Sequence, residues 1–191
     1  MTTKEQIPRI ETGVRNFDAI FEGGMPKNSV TVVSGAPGSG KTTVGRLVAQ
    51  RRGVGFRDTD TDVETVAGAS ISDIFVDRGE VAFRELERDA VHRALTDHDG
   101  VLALGGGAVV DTDTRSVLAS HRVVFLDVGL ADAAARVGFN RDRPLLLGNP
   151  RAQLRVMLEE RRALYAEVAT VTISTDGRSA DDGAAAVEAA L

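Results

Sequence analysis

Cysteine is absent from this sequence of 191 residues, which excludes disulfide bonds and thiolate metal sites. Long apolar runs are absent too, since no stretch approaches the roughly 18 apolar residues that indicate a membrane-spanning helix. The first six residues, MTTKEQ, lack the apolar core of a signal peptide. From these absences we expect a cytoplasmic protein.

Positive charge is in the minority. The chain has 28 acidic residues against 23 lysines and arginines, a formal net charge of −5 at pH 7. This balance argues against a broad surface for nucleic acid or for an anionic membrane, so we expect small molecules as partners. A chain of this length is sufficient for one compact α/β domain with an appendage.

Lysine is scarce, and only Lys41 occurs after residue 27. It lies in the octet 35–42, GAPGSGKT, which fits the phosphate-binding pattern G-x-x-x-x-G-K-[ST]. An apolar run over 29–34 precedes the octet and a stretch of helical periodicity follows it, so strand, loop and helix come in the required order. The residues predicted to bind the nucleotide are Gly35, Ala36, Pro37, Gly38, Ser39, Gly40, Lys41, Thr42 and Thr43.

The chemistry of this loop comes mainly from its backbone. Gly35, Gly38 and Gly40 allow amide N–H groups to converge on an anion, and the helix that begins near Lys41 adds the positive end of its dipole. We expect Lys41 to reach the β and γ phosphates and the Thr42 hydroxyl to ligate Mg²⁺. The sequence therefore predicts a protein that binds ATP and Mg²⁺.

Residues 1–28 differ in composition from the rest, since they hold two of the three lysines and three of the six isoleucines. The segment 9–29 resembles the lead-in to the phosphate loop of RecA/KaiC-type ATPases, and the resemblance continues to about residue 42. It departs at Asn28, where that family usually carries Gly. We interpret residues 1–28 as a structural extension with a short helix over 16–22.

Beyond residue 43, apolar runs alternate with helical stretches. Four runs are predicted to be strands, namely 53–56, 101–104, 123–128 and 168–173. This order predicts a P-loop NTPase fold over residues 29–191, a parallel sheet with helices on both faces. Ligands of such sheets bind beyond the carboxyl ends of the strands, where Asp58, Asp60 and the glycine turn 105–107 follow.

Residues 44–191 resemble shikimate kinases. The resemblance rests on several motifs at the spacing of that family: Arg57-Asp-Thr-Asp60, Ile74-Phe75, Gly79-Glu80, Phe83-Arg84-x-x-Glu87, Leu104-Gly-Gly-Gly107, Arg143-Pro-Leu-Leu146 and Arg161-x-x-Leu-Tyr165. It implies a monomer of nucleoside-monophosphate-kinase-like fold that uses ATP to phosphorylate the 3-hydroxyl of shikimate. A RecA/KaiC-type start joined to a shikimate kinase body, a chimera, is the simplest account of the two resemblances.

Asp58 and Asp60 are the candidate acidic groups. By the resemblance, Asp58 supports Mg²⁺ through water, and Asp60 contacts the hydroxyl that is phosphorylated, as a positioning group or general base. Because they lie two apart at a strand end, both side chains are predicted to point the same way into the cleft. A solvated strand end or helix cap is the alternative, since Thr59 and Thr61 also suit caps.

Arg84 and Arg161 match the carboxylate-binding arginines of the family. A guanidinium holds a carboxylate through paired hydrogen bonds, which suits the carboxylate of shikimate. In a helix predicted over 80–95, Arg84 and Glu87 are three apart and share a face, so Glu87 can hold the guanidinium in place. The alternative is an ordinary solvated ion pair.

Further residues have roles implied by the resemblance alone. Gly106 and Gly107 bring backbone amides close to the substrate ring, although a plain tight turn would have the same sequence. Arg136 lies beside the adenine. Phe75 and Phe83 match residues near the shikimate pocket, but aromatic residues at helical spacing belong more often to the core.

Residues 136–162 contain seven arginines and three acidic residues, a local excess of +4 in an acidic protein. Within them, the stretch 139–150 lacks apolar periodicity and contains Pro144 and Pro150, so it is predicted to be a mobile loop. By the resemblance it is the lid that closes over the substrates, with Arg143 delivering charge to the transferring phosphoryl group.

Two alternatives to a kinase stay open at this point. The first 42 residues, taken alone, favour a RecA-type ATPase. A non-enzymatic hybrid is the other alternative, in which the foreign lead-in perturbs the first strand or the loop while nucleotide binding persists. Misplacing reacting groups by about 1 Å can cost around a hundredfold in rate, so a recognisable phosphate loop does not ensure turnover.

Overall fold

The computed structural model describes residues 9–10, 25–26, 30–137 and 150–191. The helix predicted over 16–22 and the lid residues 139–149, Arg143 among them, lie outside these ranges. Residues Arg9–Ile10 (β1) and Met25–Pro26 (β2) form a short antiparallel pair within the N-terminal extension. Among the described residues, no helix is both long and apolar enough to cross a bilayer.

Within the described ranges the main sheet has five strands, all parallel, in the order β4-β5-β3-β6-β7. Its strands are Thr31–Ser34 (β3), Gly55–Asp58 (β4), Gly100–Ala103 (β5), Arg122–Asp127 (β6) and Val171–Ser174 (β7). β3, the first of these strands along the chain, is the central strand, with β5 and β4 on one side and β6 and β7 on the other. The predicted parallel sheet is confirmed.

Helices cover both faces of the sheet. They are Lys41–Arg52 (α1), Thr59–Ala67 (α2), Ile71–Asp97 (α3), Thr112–Leu118 (α4), Leu130–Val137 (α5), Pro150–Val168 (α6) and Ala180–Ala190 (α7), with a 3-10 turn at Ala108–Val110. The long α3 is interrupted at Gly79, whose φ of 79° and ψ of 172° are not helical. Glycine suits this position because other residues rarely adopt such a conformation.

Alternation along β3 divides the core into two apolar layers. Val32 packs with Leu102 and Phe125 in one layer, whereas Val33 packs with α1 and α7 through Val48 and other apolar residues in the second layer. Successive strand residues point to opposite faces, so a strand buried on both sides needs the continuous apolar run seen here. The core thereby fixes the carboxyl end of β3, where the phosphate loop begins.

Two strand predictions were displaced along the chain. The run 53–56 was predicted to be a strand, but Gly53 is the left-handed cap of α1 and its N–H bonds back to the helix, so β4 begins only at Gly55. The strand predicted over 168–173 begins at Val171, because Val168 ends α6 with its apolar side chain buried against the core. β4 ends at Asp58.

Candidate active site

The octet 35–42 forms a tight loop between β3 and α1. Its backbone passes so close to α5 that a Cβ on Gly38, where φ is 82°, would lie 2.7 Å from the Ala133 carbonyl oxygen. Glycine is therefore required here for both conformation and space. The loop borders a cleft of about 420 Å³, called the nucleotide cleft below, whose other walls include Asp58, Asp60, Gly106 and Arg136.

Lys41 and Thr42 open α1 at the floor of the nucleotide cleft. The ammonium group of Lys41 donates to the Ala36 carbonyl oxygen over 3.1 Å, across the loop. The Thr42 hydroxyl donates to Asp58 Oδ2 over 2.8 Å. The strand end of β4 and the start of α1 thus bring a hydroxyl and a carboxylate together, the hard oxygen donors that Mg²⁺ prefers.

Asp58 and Asp60 both line the nucleotide cleft, but not by strand alternation. Asp58 ends β4 and is the N-cap of α2, with its Oδ1 accepting the Asp60 N–H over 3.1 Å, whereas Asp60 lies in the first helical turn. The geometric reason predicted for their shared direction was therefore wrong. The cap that was predicted as an alternative exists together with the shared cleft, so one residue serves both purposes.

Arg84 and Glu87 form an ion pair on α3, with Nη1 and Oε2 2.6 Å apart. Only 4% of the Glu87 side chain is exposed, so this pair is not an ordinary solvated one. Burial raises the pKa of Glu87 above its ordinary value, an effect that the charge of Arg84 opposes. For Arg84, burial acts to lower the pKa, but Glu87 and Glu80 outweigh it and the pKa is raised. The guanidinium therefore stays cationic.

The glycine turn after β5 is held against these charged groups. The Gly105 N–H donates to the Thr59 hydroxyl oxygen over 2.9 Å. A Cβ on Gly105 would lie 2.5 Å from Glu87 Oε1 and 2.6 Å from Asp60 Oδ1, and one on Gly107 would lie 1.9 Å from Arg84 Nη1. The absence of side chains is what lets both acids and Arg84 approach the turn.

Arg161 on α6 contacts the same turn. Its Nη1 donates to the Gly106 carbonyl oxygen over 3.0 Å, and the Tyr165 hydroxyl donates to that oxygen as well. The structure thus brings Arg84, its partner Glu87 and Arg161 to the same glycine turn. Tyr165 received no role from the sequence, although its spacing of four from Arg161 places the two on one helical face.

Arg136 on α5 borders the far end of the nucleotide cleft. Its guanidinium donates to the hydroxyl of Thr175 over 3.0 Å and to the carbonyl oxygen of Thr175 over 2.6 Å. The start of α7 completes this end of the cleft, where Ser179 caps the helix in a reciprocal capping box with Asp182. Thr175 and Ser179 were missed in the sequence, where only the Ser-x-x-Asp spacing marks a helix start.

Phe75 and Phe83 belong to a third apolar cluster, with Val63 and Ile74, rather than to the cleft walls. Their ring centroids are 4.5 Å apart and Phe83 is 4% exposed. The interpretation of these aromatic residues as core therefore fits their surroundings. Phe83 also touches the site indirectly, because the Arg84 guanidinium lies 5.1 Å from its ring centroid.

Comparison with known proteins adds a family to this geometry. A family model described as shikimate kinase matches residues 37–191, and one described as KaiC, an ATPase, matches residues 10–50. A shikimate kinase of Frankia casuarinae is 57% identical over 162 residues, 85% of this chain and 72% of that protein. One of Salinispora tropica is 57% identical over 162 residues, 85% of this chain and 97% of that protein.

A solved structure resembles the chain in three dimensions. The shikimate kinase from Acinetobacter baumannii in complex with shikimate has a TM-score of 0.81 at 37% identity, covering 84% of this chain and 90% of that one. The KaiC match, by contrast, ends inside α1. It covers the lead-in and the loop and runs on only to residue 50, whereas the shikimate kinase model matches residues 37–191, so a RecA-type ATPase is not favoured.

Proposed function

The chain belongs to the shikimate kinase family, and we propose from this that it transfers the γ-phosphoryl group of ATP to the 3-hydroxyl of shikimate. The main structural support for this proposal is the position of Asp60. It lines the nucleotide cleft, while its Oδ1 approaches Gly105 beside Glu87, the partner of Arg84. One carboxylate therefore lies where the phosphate loop adjoins the ion pair of Arg84 and Glu87.

Residues of the loop hold the nucleotide in this proposal. Amide groups of residues 35–43 surround the phosphates, Lys41 neutralises charge on the β and γ groups, and Arg136 lies beside the base. The Thr42 hydroxyl and the Asp58 carboxylate, 2.8 Å apart, have the oxygen chemistry to hold Mg²⁺, and Asp58 would do so through water. Mg²⁺ held there would supply positive charge that neutralises the phosphates.

Asp60 orients the acceptor hydroxyl toward the γ-phosphorus. As the hydroxyl oxygen forms its bond to phosphorus, the bond from phosphorus to the bridging oxygen of ADP breaks, and the hydroxyl proton passes to the Asp60 carboxylate. In-line positioning is the main requirement of such transfers. The capped first turn of α2 suits this role because it fixes the backbone that carries Asp60.

The acceptor carboxylate is held by Arg84 and Arg161, which reach the glycine turn from α3 and α6. Two guanidinium groups and the backbone of Gly106 and Gly107 together form a cationic, hydrogen-bonding pocket that suits a carboxylate. The buried Glu87 holds Arg84 in place through their ion pair. The two arginines thus bind the carboxylate at one end of the acceptor, while Asp60 contacts a hydroxyl at the other end.

Residues 1–28 form an extension to a kinase domain over 29–191, and residues 139–150 act as a lid that brings Arg143 to the transferring group. We propose a monomer. Size-exclusion chromatography with light scattering tests this state, since a mass of twice 20.2 kDa would contradict it.

The test of the activity is ADP release from Mg²⁺ and ATP with and without shikimate. Lys41→Ala is the blank, and Asp60→Asn should retain nucleotide binding while losing most turnover. Arg84→Ala should raise the KM for shikimate far more than the KM for ATP. Nucleotide binding without shikimate-dependent ADP release would instead favour the inactive hybrid.

A further inference from the structure

Arg84 has two acidic partners that differ in burial. Glu87 is almost fully enclosed, with 4% of its side chain exposed, whereas Glu80 is 59% exposed. Glu80 lies one turn before Arg84 on α3, in the i,i+4 relation, and directly follows the break at Gly79. One partner is therefore built into the core and the other borders solvent.

The two acids occupy different edges of the guanidinium. Glu87 Oε2 accepts from Nη1 over 2.6 Å. Glu80 Oε1 accepts from Nε over 3.3 Å and from Nη2 over 3.0 Å. Nε and Nη2 donate in parallel, and this is an edge at which an arginine binds a carboxylate through two hydrogen bonds. Glu80 thus covers a bidentate edge with a single oxygen.

Arg84 does not depend on Glu80 for its orientation. The buried Glu87 holds one end of the guanidinium, the Phe83 ring lies 5.1 Å from its central carbon, and Gly107 packs against Nη1. An exposed i,i+4 ion pair adds little to stability. The contribution of Glu80 is therefore mainly its negative charge at the edge that an incoming carboxylate would use.

We propose that Glu80 is a specificity-determining residue that competes, as an internal carboxylate, with the carboxylate of the acceptor for the Nε–Nη2 edge of Arg84. This inference rests on the proposed function, in which Arg84 binds that group. A small anion can bind only at this edge of Arg84, and there Glu80 competes with it. An acceptor that also contacts Asp60 and Arg161 gains enough to displace it. Because Glu80 is exposed, it can turn into water without disturbing the core.

The test replaces Glu80 by its neutral isostere. Glu80→Gln should lower the KM for shikimate by up to about fivefold at low salt, the range typical of exposed ion pairs, with kcat and the KM for ATP unchanged. The gain should shrink as salt rises, because screening weakens exposed charges. With the methyl ester of shikimate, which lacks the carboxylate charge, the gain should vanish.

Glu85→Gln is the matched control. Glu85 is exposed on the same helix, and its replacement by Gln changes the net charge equally. Glu85 directly follows Arg84, and because neighbouring residues in a helix do not share a face, it does not face the Arg84 guanidinium. An unchanged or raised KM for shikimate in Glu80→Gln would overturn the inference, as would an equal fall in Glu85→Gln. An equal gain with the methyl ester would overturn it as well.

Failure of the proposed function would be recognised separately. If the wild-type protein forms no shikimate-dependent ADP, the kinase proposal fails, and shikimate binding measured by calorimetry then tests Glu80 by itself. Tighter binding of shikimate to Glu80→Gln than to wild type and Glu85→Gln supports the competition. Equal binding to all three proteins overturns it.

Discussion

Tyr165 donates its hydroxyl to the carbonyl oxygen of Gly106 over 2.5 Å, and Arg161 donates to the same oxygen over 3.0 Å. On the Gly107 side of this peptide unit, Arg84 of α3 packs so closely that a Cβ on Gly107 would lie 1.9 Å from its Nη1. The peptide unit between Gly106 and Gly107 is thus hydrogen-bonded by α6 and flanked by α3. Its direction is fixed before a ligand meets it.

Replacing Tyr165 by Phe should loosen that peptide unit without emptying the core. The ring stays stacked on Phe125, 5.1 Å away, while one hydrogen bond is lost. We expect the KM for shikimate to rise about 2- to 10-fold, the equivalent of about 0.5–1.5 kcal/mol, and the KM for ATP to stay constant. Steady-state kinetics measure this, and a parallel rise in both KM values would contradict it.

Alkaline pH should destabilise the protein through the same hydroxyl. Burial is the main cause that raises the pKa of Tyr165 from 10.0 to about 12. The folded state therefore favours the neutral phenol, and this contribution to stability is complete below pH 10 and is lost as pH rises from 10 toward 12.

Thermal unfolding across that range should therefore show a steeper fall for the wild type than for Tyr165→Phe. Tyr165 is the only tyrosine and the chain has no tryptophan, so phenolate absorbance reports this group alone. A phenolate transition near pH 10 in the folded protein would refute the prediction.

Gly107→Ala should impair the acceptor site more than the fold. Gly107 has an ordinary φ of −101°, so alanine suits the backbone, but its Cβ would lie 1.9 Å from Arg84 Nη1. The guanidinium must move, and we expect the KM for shikimate to rise about 10- to 150-fold, as for loss of a charged hydrogen bond. Gly106→Ala, whose Cβ would lie 3.2 Å from the Pro37 side chain, is the milder control.

The measurement is shikimate kinetics combined with thermal unfolding of both variants. A midpoint for Gly107→Ala within a few degrees of the wild type would separate displacement of Arg84 from general unfolding. Equal kinetic losses in the two glycine variants would count against the role of the Arg84 contact.

Asp58→Asn should weaken Mg²⁺ use while keeping the helix cap. Asparagine caps helices about as well as aspartate, so α2 keeps the bond to the Asp60 N–H, but the negative charge beside Thr42 is lost. The Mg²⁺ concentration for half-maximal ADP formation should rise, and a chelator should abolish activity in both proteins. Asp58→Ala should additionally lose about 0.5–2 kcal/mol of stability.

Magnesium titration of ADP formation, with chemical denaturation alongside, distinguishes these two effects of Asp58. A wild-type Mg²⁺ requirement in Asp58→Asn would exclude the carboxylate as part of the metal site. Equal stability of the Asn and Ala variants would show that the cap is dispensable.

Local patterns in the sequence were sufficient for the phosphate loop and for the sheet. The octet around Lys41 has a fixed spacing, and the buried strands are continuous apolar runs, so both are determined by residues near one another. The pairing of Arg84 with Glu87 follows equally from their separation of three on a helix.

Residues whose roles depend on long-range packing could not be found in this way. Tyr165 contacts Gly106 only because α6 packs near the carboxyl end of β5. Thr175, which follows β7, contacts Arg136 only because α5 packs near the end of that strand. Asp58 shows a different difficulty, because a strand end and a helix cap share the same residue types. The structure shows that Asp58 is both, the last residue of β4 and the N-cap of α2.

The break at Gly79 also has a consequence for how this corner of the molecule assembles. Residues eight apart on a straight helix are separated by about 12 Å along its axis, yet the rings of Phe75 and Phe83 lie 4.5 Å apart. The bend thus closes an aromatic contact within a very short loop. Contacts of such low sequence separation lose little chain entropy, and they favour early formation of this cluster during folding.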